Sequence, residues 1–139
     1  MVAHPRQFAA GLSALALALG IAACGETAST SGFKGESHNV AQTVSNLQAD
    51  ATAGDQKKLC ENDLAATLTV RLRSAGGCQT VMKNQLAEID ALNMTIESIA
   101  VNGARATARV KSTYSGKSRL ATLTLVKEGS HWKISGIES

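Results

Sequence analysis

The spacing of hydrophobic residues changes from a helical period to a strand period after residue 93 of the chain. Before that point, apolar residues recur every three or four positions in three stretches, which predicts helices over 40–53, over about 64–72 and from 78 to about 90. Asp55 is placed to cap a further short helix that begins at Gln56. This half of the chain is therefore predicted to be helical.

The rest of the chain alternates apolar and polar residues, as β-strands do. The stretch 94–101 is rich in β-branched residues, and its alternation shifts phase at Glu97-Ser98, which predicts a β-bulge. Asn102-Gly103 is a strong hairpin signal, and residues 104–114 alternate cleanly after it. Two further turns follow, at "SGKS" and "EGS". The pattern predicts a four-stranded antiparallel meander after the helices, and hence an α+β fold.

The N-terminal residues have the layout of a secretory signal peptide. From Phe8 to Ala23 the chain carries no charge, and Arg6 precedes this run. A membrane-spanning helix needs roughly 20 predominantly apolar residues, which is more than this run provides. A buried amphipathic helix would need a polar face, which the run lacks. The sequence therefore predicts a signal peptide over residues 1–23.

The end of the apolar run, Ile21-Ala22-Ala23-Cys24, resembles the lipobox of bacterial lipoproteins: an aliphatic residue, two small residues and a cysteine. This resemblance implies a diacylglyceryl group on the Cys24 sulfur, cleavage after Ala23, and acylation of the new N-terminus with a chain such as palmitate. Two or more acyl chains give stable membrane anchoring. The expected location is therefore outside the cytoplasm, with Cys24 as the lipidation site and the cell membrane or envelope as the anchor point.

Residues 24–39 are rich in Gly, Ser and Thr, with little to bury. This composition is typical of a flexible tether, which would hold the following domain roughly 20 Å from the membrane. The predicted organisation is a signal peptide over 1–23, an acylated anchor and tether over 24–39, and one α+β domain over 40–139.

The two other cysteines, Cys60 and Cys78, are 18 positions apart. In an exported protein they are expected to form a disulfide, which is worth roughly 3 kcal/mol in the chain-entropy model. Metal ligation is the competing interpretation, but it needs more ligands than the sequence offers: there is no Cys-x-x-Cys, and the three histidines are scattered. No metal or other cofactor is predicted.

Three segments of the domain resemble the nuclear transport factor 2-like superfamily, whose fold is a cone-shaped, cystatin-like α+β domain. They are "AGDQKKLCENDL", "AGGCQ" and "EGSHWKISGI". The segments are similar to small envelope lipoproteins of that fold in which the two cysteines pair. The resemblance implies helices packed on a long antiparallel sheet, and it says more about fold than about activity.

Candidate catalytic residues are few. Members of the superfamily that resemble ketosteroid isomerase need a carboxylate base and donors such as Tyr in a pocket. The single tyrosine, Tyr114, lies near a predicted turn, and His131 is expected to be exposed on the strand face opposite Trp132. Capping and solvation explain most of the candidate acids, which are Asp50, Asp55, Asp63 and Asp90. No catalytic residue is predicted.

A basic face is predicted on the sheet. Arg105, Arg109 and Lys111 share one side of a strand, and Lys133 can join them across the sheet. This face could contact anionic lipid headgroups or envelope polymers; the alternative is a solvated face whose charges prevent edge pairing. Nucleic acid is not an expected partner, because only 3% of the residues are aromatic and could stack on bases.

The sequence thus favours a membrane-anchored, non-catalytic binding or accessory domain of the bacterial envelope, with another protein or a small ligand as its partner. One alternative is a carrier that holds a lipid or hydrophobic ligand in an internal cavity, because the inward residues Ala104, Ala106 and Ala108 are small. They are equally consistent with helices packed closely on the sheet. A second alternative is an enzyme of the isomerase or dehydratase type.

Overall fold

A computed structural model of the protein describes residues 27–89 and 92–139. Helical elements come first, and a four-stranded sheet follows. The helices are α1 (Glu36–Thr52), α2 (Gln56–Lys58), a π-helical turn (Leu59–Asp63), α3 (Ala66–Arg71), a 3₁₀ helix (Leu72–Ala75) and α4 (Cys78–Leu86). The strands are β1 (Asn93–Asn102), β2 (Arg105–Tyr114), β3 (Lys117–Glu128) and β4 (His131–Glu138).

The sheet is an antiparallel meander in the order β1-β2-β3-β4, as the alternation and the turn residues predict. The pairing of β1 with β2 shifts register between Ile96 and Ser98, so the predicted bulge at Glu97 is confirmed. A second irregularity, which the sequence did not indicate, occurs in the pairing of β3 with β4 next to Thr124. The predicted α+β fold class is confirmed.

The core lies between α1 and the inner face of the sheet. Val40 and Val44 of α1 are fully buried against the small inward residues of β2, of which Ala108 is also fully buried. The same cluster contains Trp132 and Ile134 of β4. Trp132 is buried and His131 is exposed, so these neighbours lie on opposite faces as predicted.

The segment after the π-helical turn covers the free edge of β4. Leu64 forms a parallel bridge with Ile134, and the Ala65 amide donates to the Ile134 carbonyl at 2.7 Å. An uncovered edge strand is a template for unwanted pairing. This contact protects the edge and places the end of the π-helical turn, Asn62 and Asp63, beside the start of β4.

The packed domain begins earlier than residue 40. Helix α1 starts at Glu36, and Ala28, inside the segment interpreted as a tether, is only 3% exposed and belongs to the core cluster. The His38 ring nitrogen Nδ1 is 3.3 Å from the Thr30 carbonyl oxygen, which ties the segment to α1. One small alanine in a Ser/Thr-rich stretch gives no hydrophobic pattern, so this packing has no counterpart in the sequence signal.

The predicted signal peptide, the lipidation site Cys24 and the candidate acid Asp90 lie outside the described residues. Among the helices of residues 27–89 and 92–139, none has the length and apolar character required to cross a membrane.

Candidate functional site

A polar groove of about 540 Å³ lies between α1 and the start of β4. Its α1 wall consists of four residues on one face of that helix, and its opposite wall is the turn into β4 with the first residues of that strand. The end of the π-helical turn closes the groove on one side. We call this the α1–β4 groove; it is lined by Asn39, Gln42, Thr43, Asn46, Asn62, Asp63, Ser130, His131, Trp132 and Lys133.

The helical period of α1 explains its wall. Asn39, Gln42 and Asn46 follow one another at intervals of three and four residues, so their side chains share a face next to the buried valines. All three are exposed, and the Gln42 amide donates to the Asn46 side-chain oxygen at 3.0 Å. Thr43 joins the two walls, because its hydroxyl donates to the buried Trp132 carbonyl at 3.2 Å.

Glu36, the first residue of α1, forms an ion pair with the end of β3 and accepts a hydrogen bond from the start of β4. The Trp132 indole donates to Glu36 at 2.7 Å, and the Lys127 ammonium is 2.9 Å from the other oxygen of that carboxylate. Lys127 also lies 5.7 Å from the centre of the Trp132 ring. The hydrogen bonds from Lys127 and then Trp132 lower the pKa of Glu36. These contacts fix the distance between the two groove walls.

Asp63 is the buried acid of the groove. It is 3% exposed, and its Oδ2 atom is buried without a hydrogen-bond partner among the described residues. Burial, and then the nearby carboxylate of Asp50, raise the pKa of Asp63 to about 7, although the charge of Lys133 acts in the opposite direction. Asp63 was predicted to be solvated or capping at a helix end, and that prediction is wrong. The covered β4 edge buries this residue.

Lys133 is placed differently from the prediction. Its backbone lies in the same cross-strand row as Arg105, because both residues pair with Val126 of β3. Its ammonium, however, reaches the π-helical turn, where it donates to the carbonyl oxygen of Glu61 at 3.3 Å and to that of Asn62. Helix ends leave unpaired carbonyls, and a cation suits them. Lys133 thus belongs to the groove, while Arg105, Arg109 and Lys111 remain exposed on the outer face of the sheet.

The disulfide between Cys60 and Cys78 is present, with their Cα atoms 6.0 Å apart. It links the π-helical turn to the first residue of α4, so the prediction is confirmed. Because Cys60 lies three positions before Asp63, the bond also restrains the segment that carries the buried acid.

The remaining candidate residues do not meet in the groove. Asp55 caps α2, since its side chain accepts a hydrogen bond from the Lys58 amide at 3.0 Å. Tyr114 pairs with Lys117 at the start of β3, whereas the groove adjoins the turn that follows the end of that strand. Asp50 does not line the groove, but its side chain is largely covered, at 16% exposure. Over the described ranges no cluster of three or more His, Cys, Asp or Glu side chains could hold a metal ion.

The residues that sequence reasoning missed are the amides of the groove. Asn39, Gln42 and Asn46 gave a signal, namely their common helical face, but an exposed polar face is what any surface helix shows. Asn62 gave none, because its place beside β4 depends on the bridge between Leu64 and Ile134.

Comparison with known proteins agrees with this fold. Residues 69–136, just under half of the chain, match a protein family described as "Putative lumazine-binding". The match runs from within α3 to β4 and includes the β4 wall of the groove but not α1. No curated protein matches the chain.

Three solved structures are similar at 16% identity. A nuclear transport factor 2-like protein of unknown function from Shewanella baltica OS155 is matched over 73% of this chain and 90% of that chain, with a TM-score of 0.56. Another from Silicibacter pomeroyi DSS-3, also of unknown function, is matched over 78% and 95%, with a TM-score of 0.56. A SEC-C motif containing protein from Rhodopseudomonas palustris is matched over 71% and 76%, with a TM-score of 0.53. The chain therefore has the nuclear transport factor 2-like α+β fold that the resemblance implied.

Proposed function

We propose that the chain is a lipoprotein of the bacterial envelope, anchored through Cys24, whose domain binds a small polar ligand in the α1–β4 groove without transforming it. The anchor rests on the uncharged run from Phe8 to Ala23 and on the lipobox-like residues that end it. The disulfide between Cys60 and Cys78 supports the same location, because such bonds persist in oxidising compartments outside the cytoplasm.

The observation that carries the ligand proposal is the groove itself. Its volume of about 540 Å³ falls in the range of roughly 300–1,000 Å³ that is typical of small-molecule sites. Its walls carry four amide side chains, on Asn39, Gln42, Asn46 and Asn62, and each amide can donate and accept hydrogen bonds. Such a lining fits a ligand with alternating donors and acceptors better than an apolar one.

The family description narrows the choice of a first ligand to test. Lumazine is a fused heterocycle with ring N–H groups and carbonyl oxygens, the complement of an amide-lined wall. The matched residues include 130–133, which form the β4 wall. We therefore select lumazine as the probe for this groove.

The experiment is a calorimetric titration of the purified chain with lumazine. We expect saturable binding that Asn39→Ala combined with Asn46→Ala weakens by tenfold or more. Asn84→Ala, which removes an exposed amide from α4 outside the groove, is the matched control and should bind like the wild type. Absence of saturable binding to lumazine and to a panel of related polar heterocycles would overturn the ligand proposal, and equal weakening by the control would place the site elsewhere.

The anchor is tested separately by labelling cells with a palmitate analogue. The wild-type chain should incorporate the label and remain in the membrane fraction, and Cys24→Ser should abolish incorporation. Replacing both Cys60 and Cys78 with serine is the control, since it removes two other thiols and should leave the label in place. Undiminished labelling of Cys24→Ser would refute the anchor.

The carrier alternative would need a cavity lined by apolar residues. Ala106 and Ala108 are instead buried in one cluster with Val40 and Val44 of α1. The expectation that Ala104 also points inward is wrong, because it is exposed in the turn before β2. This packing supports the interpretation that the alanines allow α1 to approach the sheet, and it favours a polar ligand in the groove.

The enzyme alternative has one observation in its favour, the raised pKa of Asp63. A carboxyl group with a pKa near the operating pH is suited to proton transfer. An isomerase-type reaction would leave solvent deuterium on a carbon of the bound ligand when the reaction runs in heavy water. Incorporation that Asp63→Asn abolishes would replace our non-catalytic proposal with the enzyme; we expect none.

A further inference from the structure

The burial of Ala28 shortens the distance between the membrane and the domain, given the anchor proposed above. Only residues 25–27 separate Cys24 from Ala28, which is already part of the core. A chain extends by at most about 3.5 Å per residue, so the Cα atom of Ala28 lies within roughly 14 Å of the Cα atom of Cys24. A tether of 16 residues would let the domain move well away from the membrane, whereas this short link keeps the start of the domain close to it.

The described chain begins at one edge of the sheet. Thr27 and Ser29 line a small groove together with Asn93–Ile96, the first residues of the edge strand β1. Thr95 in that stretch is in register with Lys111 of β2. Directly paired residues project from the same face of a sheet, so Lys111 lies on the outer face beside the β1 edge at which the described chain begins. On the other side of that edge, Thr27 and Ser29 adjoin Gln42 and Ser45 of α1.

The outer face next to this point is basic. Arg105, Arg109 and Lys111 alternate along β2 and are exposed, and none of the ion pairs found between described residues involves them. Leu120, paired with Lys111, is 53% exposed on the same face. Two exposed acids also lie in this region: Glu138, in register with Thr122 beside Arg109, and Glu97, the bulge residue of β1 beside Arg109. The three basic residues outnumber these two acids, so the face keeps a net positive charge, and Leu120 adds a large exposed apolar side chain.

We propose that this basic face, defined by Arg105, Arg109 and Lys111, lies against anionic lipid headgroups of the membrane that holds the Cys24 anchor. Basic residues near an anionic membrane each contribute about fivefold to binding, and the Debye length of about 8 Å at physiological salt lets charges on a closely held domain act on the surface. The α1–β4 groove lies on the helical side of the sheet, so this orientation leaves it open to solvent. The proposal rests on the lipid anchor but not on the identity of the groove's ligand.

The test is lysine acetylation of the acylated, full chain in vesicles, read by mass spectrometry. One vesicle type contains equal parts of phosphatidylcholine and phosphatidylglycerol, and the other contains phosphatidylcholine alone. We expect Lys111 to react at least tenfold more slowly on the anionic vesicles, while Lys83, exposed on α4, reacts equally on both. Raising the salt to about 1 M, where the Debye length is about 3 Å, should restore the reactivity of Lys111.

Two charge-reversed double variants distinguish binding through this face from an effect of net charge alone. Arg105→Glu with Arg109→Glu should remove the protection of Lys111, whereas Arg73→Glu with Lys57→Glu changes the net charge equally at exposed helical positions and should leave it. Equal reactivity of Lys111 on both vesicle types, in a chain that is acylated and vesicle-bound, would overturn the orientation and leave the anchor standing. A chain that carries no acyl group would instead refute the anchor.

Discussion

Replacing Asp63 with asparagine should flatten the pH dependence of folding stability between about pH 5 and pH 7. The folded state raises the pKa of Asp63 from its ordinary 3.8 to about 7, because the carboxyl is buried and faces Asp50. Between those two values the folded chain holds a proton that the unfolded chain has released. The unfolded state then binds fewer protons, so the free energy of unfolding falls as the pH rises.

The size of the effect follows from the two pKa values. From pH 5 to pH 7 the free energy of unfolding falls by about 2 kcal/mol, and the curve levels off above pH 7. The lowered pKa of Glu36 acts outside this window, because its contribution is present above its ordinary value of 4.5 and is lost only as the pH falls further. The slope from pH 5 to pH 7 therefore reports on Asp63.

The assay is urea unfolding at a series of pH values, followed by the fluorescence of Trp132, the single tryptophan of the chain. Asp63→Asn cannot titrate at this position and should lose most of the slope. Glu88→Gln, which removes an exposed carboxylate from the turn after α4, should retain the slope. An unchanged slope in Asp63→Asn would refute the account of Asp63 as a proton-holding group in the folded chain.

Three further changes test the packing around the site. Replacing Cys60 and Cys78 with serine should lower the free energy of unfolding by roughly 3 kcal/mol, and a reducing agent should then have no further effect; full stability of the double variant would contradict this. Ala28→Asp should destabilise the domain by several kcal/mol, because it buries a charge without a partner. Thr27→Asp, at an exposed position, should change stability little. Calorimetric melting distinguishes the two variants, and equal melting temperatures would place Ala28 outside the core. Gly136→Ala should also destabilise the domain, since the added Cβ would lie 2.8 Å from the Thr124 hydroxyl oxygen. Adding Thr124→Ala should recover most of the loss in melting temperature. No recovery would mean that another contact is responsible.

Local sequence signals were sufficient for most of the fold. The bulge at Glu97 and the hairpin at Asn102-Gly103 are encoded by neighbouring residues, and both appear at the predicted positions. The inward position of Trp132 follows from strand alternation alone. These features depend on backbone geometry and side-chain period, which a short stretch of chain determines by itself.

The groove could not be predicted from local sequence signals, because it is formed by contacts between distant parts of the chain. In the sequence, Asp63 lies in a polar stretch between two predicted helices. It is buried only because Leu64, the next residue, bridges to Ile134. Strand alternation placed the backbone of Lys133 correctly, but its long side chain reaches the carbonyls of Glu61 and Asn62. Ala28 is one methyl group in a polar stretch. None of these positions is determined by residues close to it in sequence.

The most direct test of the central claim, a lipid-anchored binding domain, is the intact mass of the protein extracted from the membranes of its own host. The account predicts a chain that begins at Cys24, carries a diacylglyceryl group and at least one further acyl chain, and retains one disulfide. A mass that corresponds to an unmodified chain, whether it begins at Met1 or at any other residue, would contradict it.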